Sequence, residues 1–268
     1  SAGTLGLAVG PLMVALIVGA TGLSSTVFTM GLGLIASLLL YLYCPSPSQR
    51  VAENPRLDLG SPLDWRGLGV VQAPLLMLYS ILLSRAALHM LIGNFLPFIL
   101  KAEGYSVEAT GGVLSAYMLA GALGSFVGGP LAERIGERPV NWGSGLMTTV
   151  CLVFAFFLPG LPGVALLALG AFALMSVTPV NITQAQELAP DRSSTVSAVL
   201  MGLVWGVGSL APPAVGPLAV SWGFRPVLMV AAVLPCLTGF LALALPEGKK
   251  SLRQDLSEVP LIVSSAGD

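Results

Sequence analysis

Long apolar runs separated by short polar breaks dominate the chain. They fall at about 2–21, 24–43, 70–100, 108–131, 140–158, 162–186, 194–219 and 224–245. A bilayer core is crossed by about 20 apolar helical residues. The pattern therefore predicts an all-α protein, a polytopic bundle of about eight membrane-spanning helices. Closed barrels also satisfy their backbone in lipid, but their strands alternate apolar and polar residues with period two. These runs are continuous, so helices are expected. One long polar connection, Pro45–Arg66, is rich in Pro, Ser, Asp and Arg and separates two helical groups. Residues 246–268 are polar, with Lys249, Lys250 and Arg253 clustered, and read as an unstructured tail.

Composition sharpens this picture. The chain has 268 residues, 55% hydrophobic and only 9% charged, with mean hydropathy +0.87. Soluble domains carry about 25% charged residues. So little charge cannot cover a water-facing surface, which argues against a soluble enzyme and against a disordered chain. The formal net charge of -1 carries no basic excess, so nucleic acid is not an expected partner. Cys44, Cys151 and Cys236 lack metal-ligand or disulfide-framework spacing and read as small buried side chains. No metal or cofactor is expected.

Basic residues set the orientation. Alternating eight spans puts Arg50, Arg56, Arg66, Arg134, Arg138, Arg192, Lys249, Lys250 and Arg253 on one side, and Lys101 and Arg225 on the other. The richer side is expected to be cytoplasmic, together with the linker and the C-terminus. The chain opens on Ser1 and enters an apolar run with no charged n-region, so that run is not a signal peptide and the start looks cut from something longer.

Ala8-Val9-Gly10-Pro11-Leu12 in the first run recurs as Ala214-Val215-Gly216-Pro217-Leu218 in the seventh. Both copies follow a Gly-rich stretch. Parallel repeats of six helices are one transporter plan. On that plan residues 1–43 are the last two helices of an N-terminal repeat, 44–66 the cytoplasmic linker, 67–245 a complete six-helix repeat and 246–268 the tail. Four front helices would be missing. Gly10, Pro11, Gly216 and Pro217 are expected to be helix-packing positions.

Polar residues inside the runs are the candidate chemistry. Arg85 and His89 lie four apart in the third run. Four residues turn a helix by about 400°, so the two should share a face. A central Arg costs about 2.5–3.5 kcal/mol to insert, and such residues usually face a bundle interior or a wet cavity on a substrate or ion path. His89, the single histidine, has the chemistry for proton coupling. The alternative is that Arg85 binds backbone carbonyls and His89 is a satisfied polar filler. Thr178, Asn181 and Gln184 form a polar stripe around Pro179, suited to a cavity wall, a flexing helix or interhelical hydrogen bonding. Glu187 ends that run. It has the chemistry for proton transfer or for a gate contact, and equally for pairing with Arg192 or facing water.

The connection after the fourth run reads Gly129-x-x-x-Glu133-Arg134-x-Gly136-x-Arg138. Gly129 would allow close helix approach and Gly136 a positive-φ turn. This stretch resembles the cytoplasmic loop signature of the major facilitator superfamily. Gly10-Pro11 resembles that family's antiporter motif, with Met13, Val14 and Ala15 in place of its later glycines. Ser84-Arg85, Trp142-Gly143-Ser144 and Ala185-Gln186-Glu187-Leu188 resemble its fosmidomycin-resistance-type efflux proteins. The resemblance implies two six-helix halves that alternate access around a central cavity. Arg85 and His89 would lie on the seventh helix and Asn181 and Gln184 on the tenth, with Gly129–Arg138 as a cytoplasmic gate. The family's Asp is Glu133 here, which keeps the charge and adds a methylene.

The function expected is secondary efflux of a small organic compound or drug by proton antiport, in a multi-pass inner-membrane protein that is monomeric when full length. A facilitator or importer of a small organic anion, or an inactive fragment of a transporter, is the alternative. An intramembrane enzyme or an ATP-driven pump is not expected, since the chain carries no HExxH, G-x-S-x-G or Walker A pattern.

Overall fold

The computed structural model describes residue 17 and residues 29–43, 72–189 and 193–245. Most of the first predicted run, the linker 44–66, the tail 246–268, Arg192, Gly10 and Pro11 lie outside the described residues. Those described are helical and contain no strand. α1 is Thr29–Tyr43, α2 Gln72–Ala102, α3 Val107–Ile135, α4 Glu137–Phe157 and α5 Leu161–Leu188. α6 covers 193–222 in pieces: Ser193–Ala198, a π-helical turn Val199–Leu203, Val204–Gly208 and Ala211–Trp222. α7 covers 224–244 as Phe224–Ala231, Leu234–Gly239 and a 3-10 turn Phe240–Ala244. Six of these, α2 to α7, are long and apolar enough to span a membrane. They coincide with the last six predicted runs.

Short connections force neighbouring helices antiparallel. α3 begins at Ser106, whose hydroxyl accepts from the Ala109 N–H at 3.2 Å and satisfies one of the free donors of the first turn. The expected loop between α3 and α4 is a single residue, Gly136, at φ +93°. Glu133 and Arg134 consequently sit on the last turn of α3, and Glu137 and Arg138 on the first turn of α4. Arg134 at a helix C-terminus and Glu137 at an N-terminus both suit the helix dipole.

The same local sequence recurs at the other end of the bundle. Gly136-Glu137-Arg138-Pro139 joins α3 to α4, and Gly223-Phe224-Arg225-Pro226 joins α6 to α7. Gly223 has φ +95°, nearly the value at Gly136. In each turn glycine supplies the positive φ and a proline sits third in the next helix, within the first turn whose N–H groups have no intrahelical partner. The arginines have different partners. Arg138 donates from Nε to the Leu245 carbonyl at 3.0 Å and so caps the end of α7. Arg225 pairs with Glu103, just beyond the end of α2.

Helix packing explains the glycines. Gly121, Gly124 and Gly128 form a stripe on α3 against α5. A Cβ on Gly128 would lie 2.5 Å from the Ser176 carbonyl carbon and 3.0 Å from its Cα, so the two backbones touch. The predicted close-approach residue, Gly129, is one position out of phase: among the described residues nothing lies within 4 Å of its Cβ position. One residue rotates a helix by about 100°, enough to move a side chain from an interface to its flank. Gly216 and Pro217 likewise do not mark packing among the described residues. Gly216 has no atom within 4 Å of its Cβ position, and Pro217 is exposed. The close contact on α6 is at Gly208, whose Cβ would meet Ala86 Cβ of α2 at 3.1 Å.

Candidate functional site

Two separate polar groups are built on α2, one around Arg85 and one around His89. Around Arg85 the side chain is 1% exposed. Its guanidinium donates to the Asn141 carbonyl at 3.0 Å, to Ser144 Oγ at 3.0 Å and to the Leu174 carbonyl at 3.3 Å. These acceptors belong to α4 and α5. Asn141 Nδ2 donates in turn to Asn181 Oδ1 at 2.8 Å and to the Glu137 carbonyl at 3.2 Å. One cationic fork thus ties three helices together through neutral acceptors. Hydrogen bonds from a charged donor contribute about 1.5–3 kcal/mol each, which offsets the insertion cost.

Among the described residues Arg85 does not open onto a wet path. Its side chain is enclosed, two of its three acceptors are backbone carbonyls, and it has no carboxylate partner among the described residues. Asn181 and Gln184 are 0% and 2% exposed, so the polar stripe of α5 faces the interior of this helix group rather than a cavity wall. α5 runs unbroken through Pro179. Three buried polar atoms of the network, Arg85 Nε, Asn141 Oδ1 and Asn181 Nδ2, have no hydrogen-bond partner among the described residues. A further buried oxygen without a partner, Glu187 Oε2, lies at the end of α5, where Glu187 is half-buried.

His89 leaves α2 toward different neighbours. Its Nδ1 lies 3.1 Å from Tyr117 Oη of α3. The two rings stack with centroids 5.4 Å apart, and Trp205 of α6 meets the imidazole edge-on at 5.7 Å. Arg85 and His89 therefore do not act on one spot. Their helical offset of about 40°, with the long reach of arginine, sends one between α4 and α5 and the other between α3 and α6. Tyr117 is fully buried, and its hydroxyl has no other partner among the described residues. An unsatisfied buried hydroxyl costs about 1–3 kcal/mol, so Tyr117 donates to Nδ1 and the neutral imidazole carries its proton on Nε2. His89 and Trp205 are each partly exposed.

Of the predicted gate residues, Gly136 makes the turn, Arg138 caps α7, and Glu133 and Arg134 are exposed at the end of α3. Sequence reasoning missed Asn141, Tyr117 and Trp205, and named Ser144 only within the segment that carries the family resemblance. Asn141 and Ser144 lie three apart on one face of an apolar helix. A buried arginine needs several acceptors, and that pairing was a usable signal.

Comparison with known proteins gives the family. The chain matches the family model described as the Major Facilitator Superfamily over residues 1–212 and again over 78–264. It is 28% identical over 253 residues to the fosmidomycin resistance protein of Escherichia coli (strain K12), covering 92% of this chain and 61% of that protein. It is 36% identical over 160 residues to an uncharacterized MFS-type transporter of Bacillus subtilis (strain 168), covering 59% of this chain and 39% of that one. A benzoate transport protein of Acinetobacter baylyi is 27% identical over 158 residues, covering 58% of this chain and 31% of its own length. The chain thus spans between 31% and 61% of the length of these relatives. With the model matching along most of its length, and with six membrane-length helices joined by the turns described, this multi-pass membrane protein belongs to the major facilitator superfamily.

Proposed function

We propose that the chain serves secondary active efflux of a small organic compound, driven by proton antiport. The supporting observation is the likeness to the fosmidomycin resistance protein, which runs through 92% of this chain and all six described spans. Residues 67–245 act as one six-helix half of the carrier, and the double match to one family model is what a duplicated architecture produces. His89 lies on the path of the transported compound or the proton. Glu187 offers a carboxylate for protons at the Gly136 end, the end that faces the cytoplasm on the positive-inside reading. The Arg85–Asn141–Asn181 network holds α2, α4 and α5 in fixed relation, so that the half moves as a unit. No step calls for a cofactor or a covalent intermediate, and the carrier works as a monomer in the cell's inner membrane.

The test is proton flux in everted membrane vesicles that carry the protein. An acridine dye reports an imposed pH gradient. Fosmidomycin and a panel of other small organic compounds are then added. Dequenching by at least one compound, absent from vesicles without the protein, is the expected result. Accumulation that ignores the pH gradient would overturn antiport. The likeness to a benzoate transport protein favours a second reading, movement of a small organic anion inward. Uptake by right-side-out cells, without proton release, would select it.

A further inference from the structure

The aromatic group around His89 has a polarity of its own. Tyr117 Oη lies 3.1 Å from Nδ1; with Tyr117 as the donor the imidazole carries its proton on Nε2, which has no partner among the described residues. Trp205 stands edge-on to the same ring and is partly exposed. Gly202 and Gly206 flank Trp205 on α6, and among the described residues nothing lies within 4 Å of either Cβ position. The backbone is irregular on both sides of Trp205. The π-helical turn Val199–Leu203 leads into it, and the helix breaks at Ser209 and Leu210 before Pro212 and Pro213. π-turns of this kind concentrate at functional sites.

We propose that His89, Tyr117 and Trp205 form a binding site for a planar aromatic acid. The Nε2–H of His89 donates to an oxyanion of the ligand, and the indole of Trp205 lies along its ring. Tyr117 does not touch the ligand. It is a positioning residue that fixes the imidazole tautomer and orientation. An oxyanion and a π surface must be present together, which separates this class from aliphatic acids and from neutral aromatics. The assignment names a substrate class for the transport reading above and rests on it.

Binding and flux are measured separately, so that the two ideas fail separately. The probe is 4-fluorobenzoate, followed by 19F line broadening on the full chain in detergent. Cyclohexanecarboxylate and benzyl alcohol compete against it. The expected result is saturable binding, with both competitors at least about 10-fold weaker than benzoate, since each loses one of two contacts worth about 1.4 kcal/mol. H89L abolishes binding. H89Q, whose amide nitrogen reaches the Nε2 position, retains part of it. W205L removes the preference for benzoate over cyclohexanecarboxylate. Y117F weakens binding about 2- to 10-fold, the span of one net buried hydrogen bond, and narrows the preference for acid over alcohol. Equal binding by wild type, H89L and W205L overturns the site, as does wild type that binds no probe. If dye-reported flux of another compound persists in that last case, the site falls and the transport reading stands. If the probe binds with the expected pattern and no compound moves protons, the transport reading falls and the site stands.

Discussion

Two adjacent glycines on α3 should respond in opposite directions to the same substitution. Gly128 faces the α5 backbone, where a Cβ would sit 2.5 Å from the Ser176 carbonyl carbon. Ordinary carbon contacts lie at about 3.5–4.0 Å, so Gly128→Ala forces the two helices apart by about 1 Å or more. The neighbouring atom is backbone and cannot swing aside. A gap of 0.5–1 Å forfeits about a quarter to a half of each dispersion contact along the seam, and overpacking of this kind costs about 1–3 kcal/mol. At Gly129 no described residue comes within 4 Å of the Cβ position, and alanine is the better helix former by about 0.5–1 kcal/mol. The assay is unfolding in mixed detergent, followed by helical circular dichroism on wild type and the two variants. G128A should lower the midpoint clearly, and G129A should leave it unchanged or raise it slightly. Equal stability for the two variants, or a larger loss at Gly129, would refute the assigned packing phase of α3.

Two other sites give comparable tests. Arg85→Lys keeps a buried charge but replaces a planar three-bond fork with a compact ammonium, so it should cost about 2–3 kcal/mol, whereas Arg85→Met removes the charge and should cost less. The same unfolding assay checks the order Met above Lys, and a more stable Lys variant contradicts the clamp. Arg138→Ala removes the cap on the Leu245 carbonyl, and hydrogen exchange at 240–245 should then rise by about fivefold, matching about 1 kcal/mol of lost local stability.

The spans were legible because membrane thickness acts on length and hydropathy alone. Each of α2 to α7 satisfies that constraint without help from its neighbours. Arg85 stood out for the same reason, since a mid-span charge conflicts with lipid wherever it points. Its direction was not legible. The sequence demanded acceptors for the guanidinium but did not distinguish a cavity from Asn141, Ser144 and Leu174 on two other helices. Gly128 and Gly129 show a similar limit, because contact depends on helix phase, which one residue changes by about 100°. Tyr117 and Trp205 passed as apolar bulk, and only the fold brings them to His89. The repeated Gly-x-Arg-Pro turns were readable in principle, since the four-residue pattern recurs at 136–139 and 223–226, but three identities in four residues carry little weight until the backbone shows nearly equal φ at the two glycines.

Those two turns leave the bundle with rims of unlike chemistry. At one rim Arg138 is held by a neutral carbonyl and is partly buried. At the other Arg225 meets a carboxylate, with 44% of the arginine side chain and 26% of Glu103 open to solvent. Dissolved ions screen an exposed charge pair over a Debye length of about 8 Å at physiological ionic strength, and they barely weaken a dipolar contact shielded from water. Salt concentration therefore loosens the Arg225–Glu103 contact. At that rim the glycine–arginine–proline device yields a clasp that answers to the ionic medium.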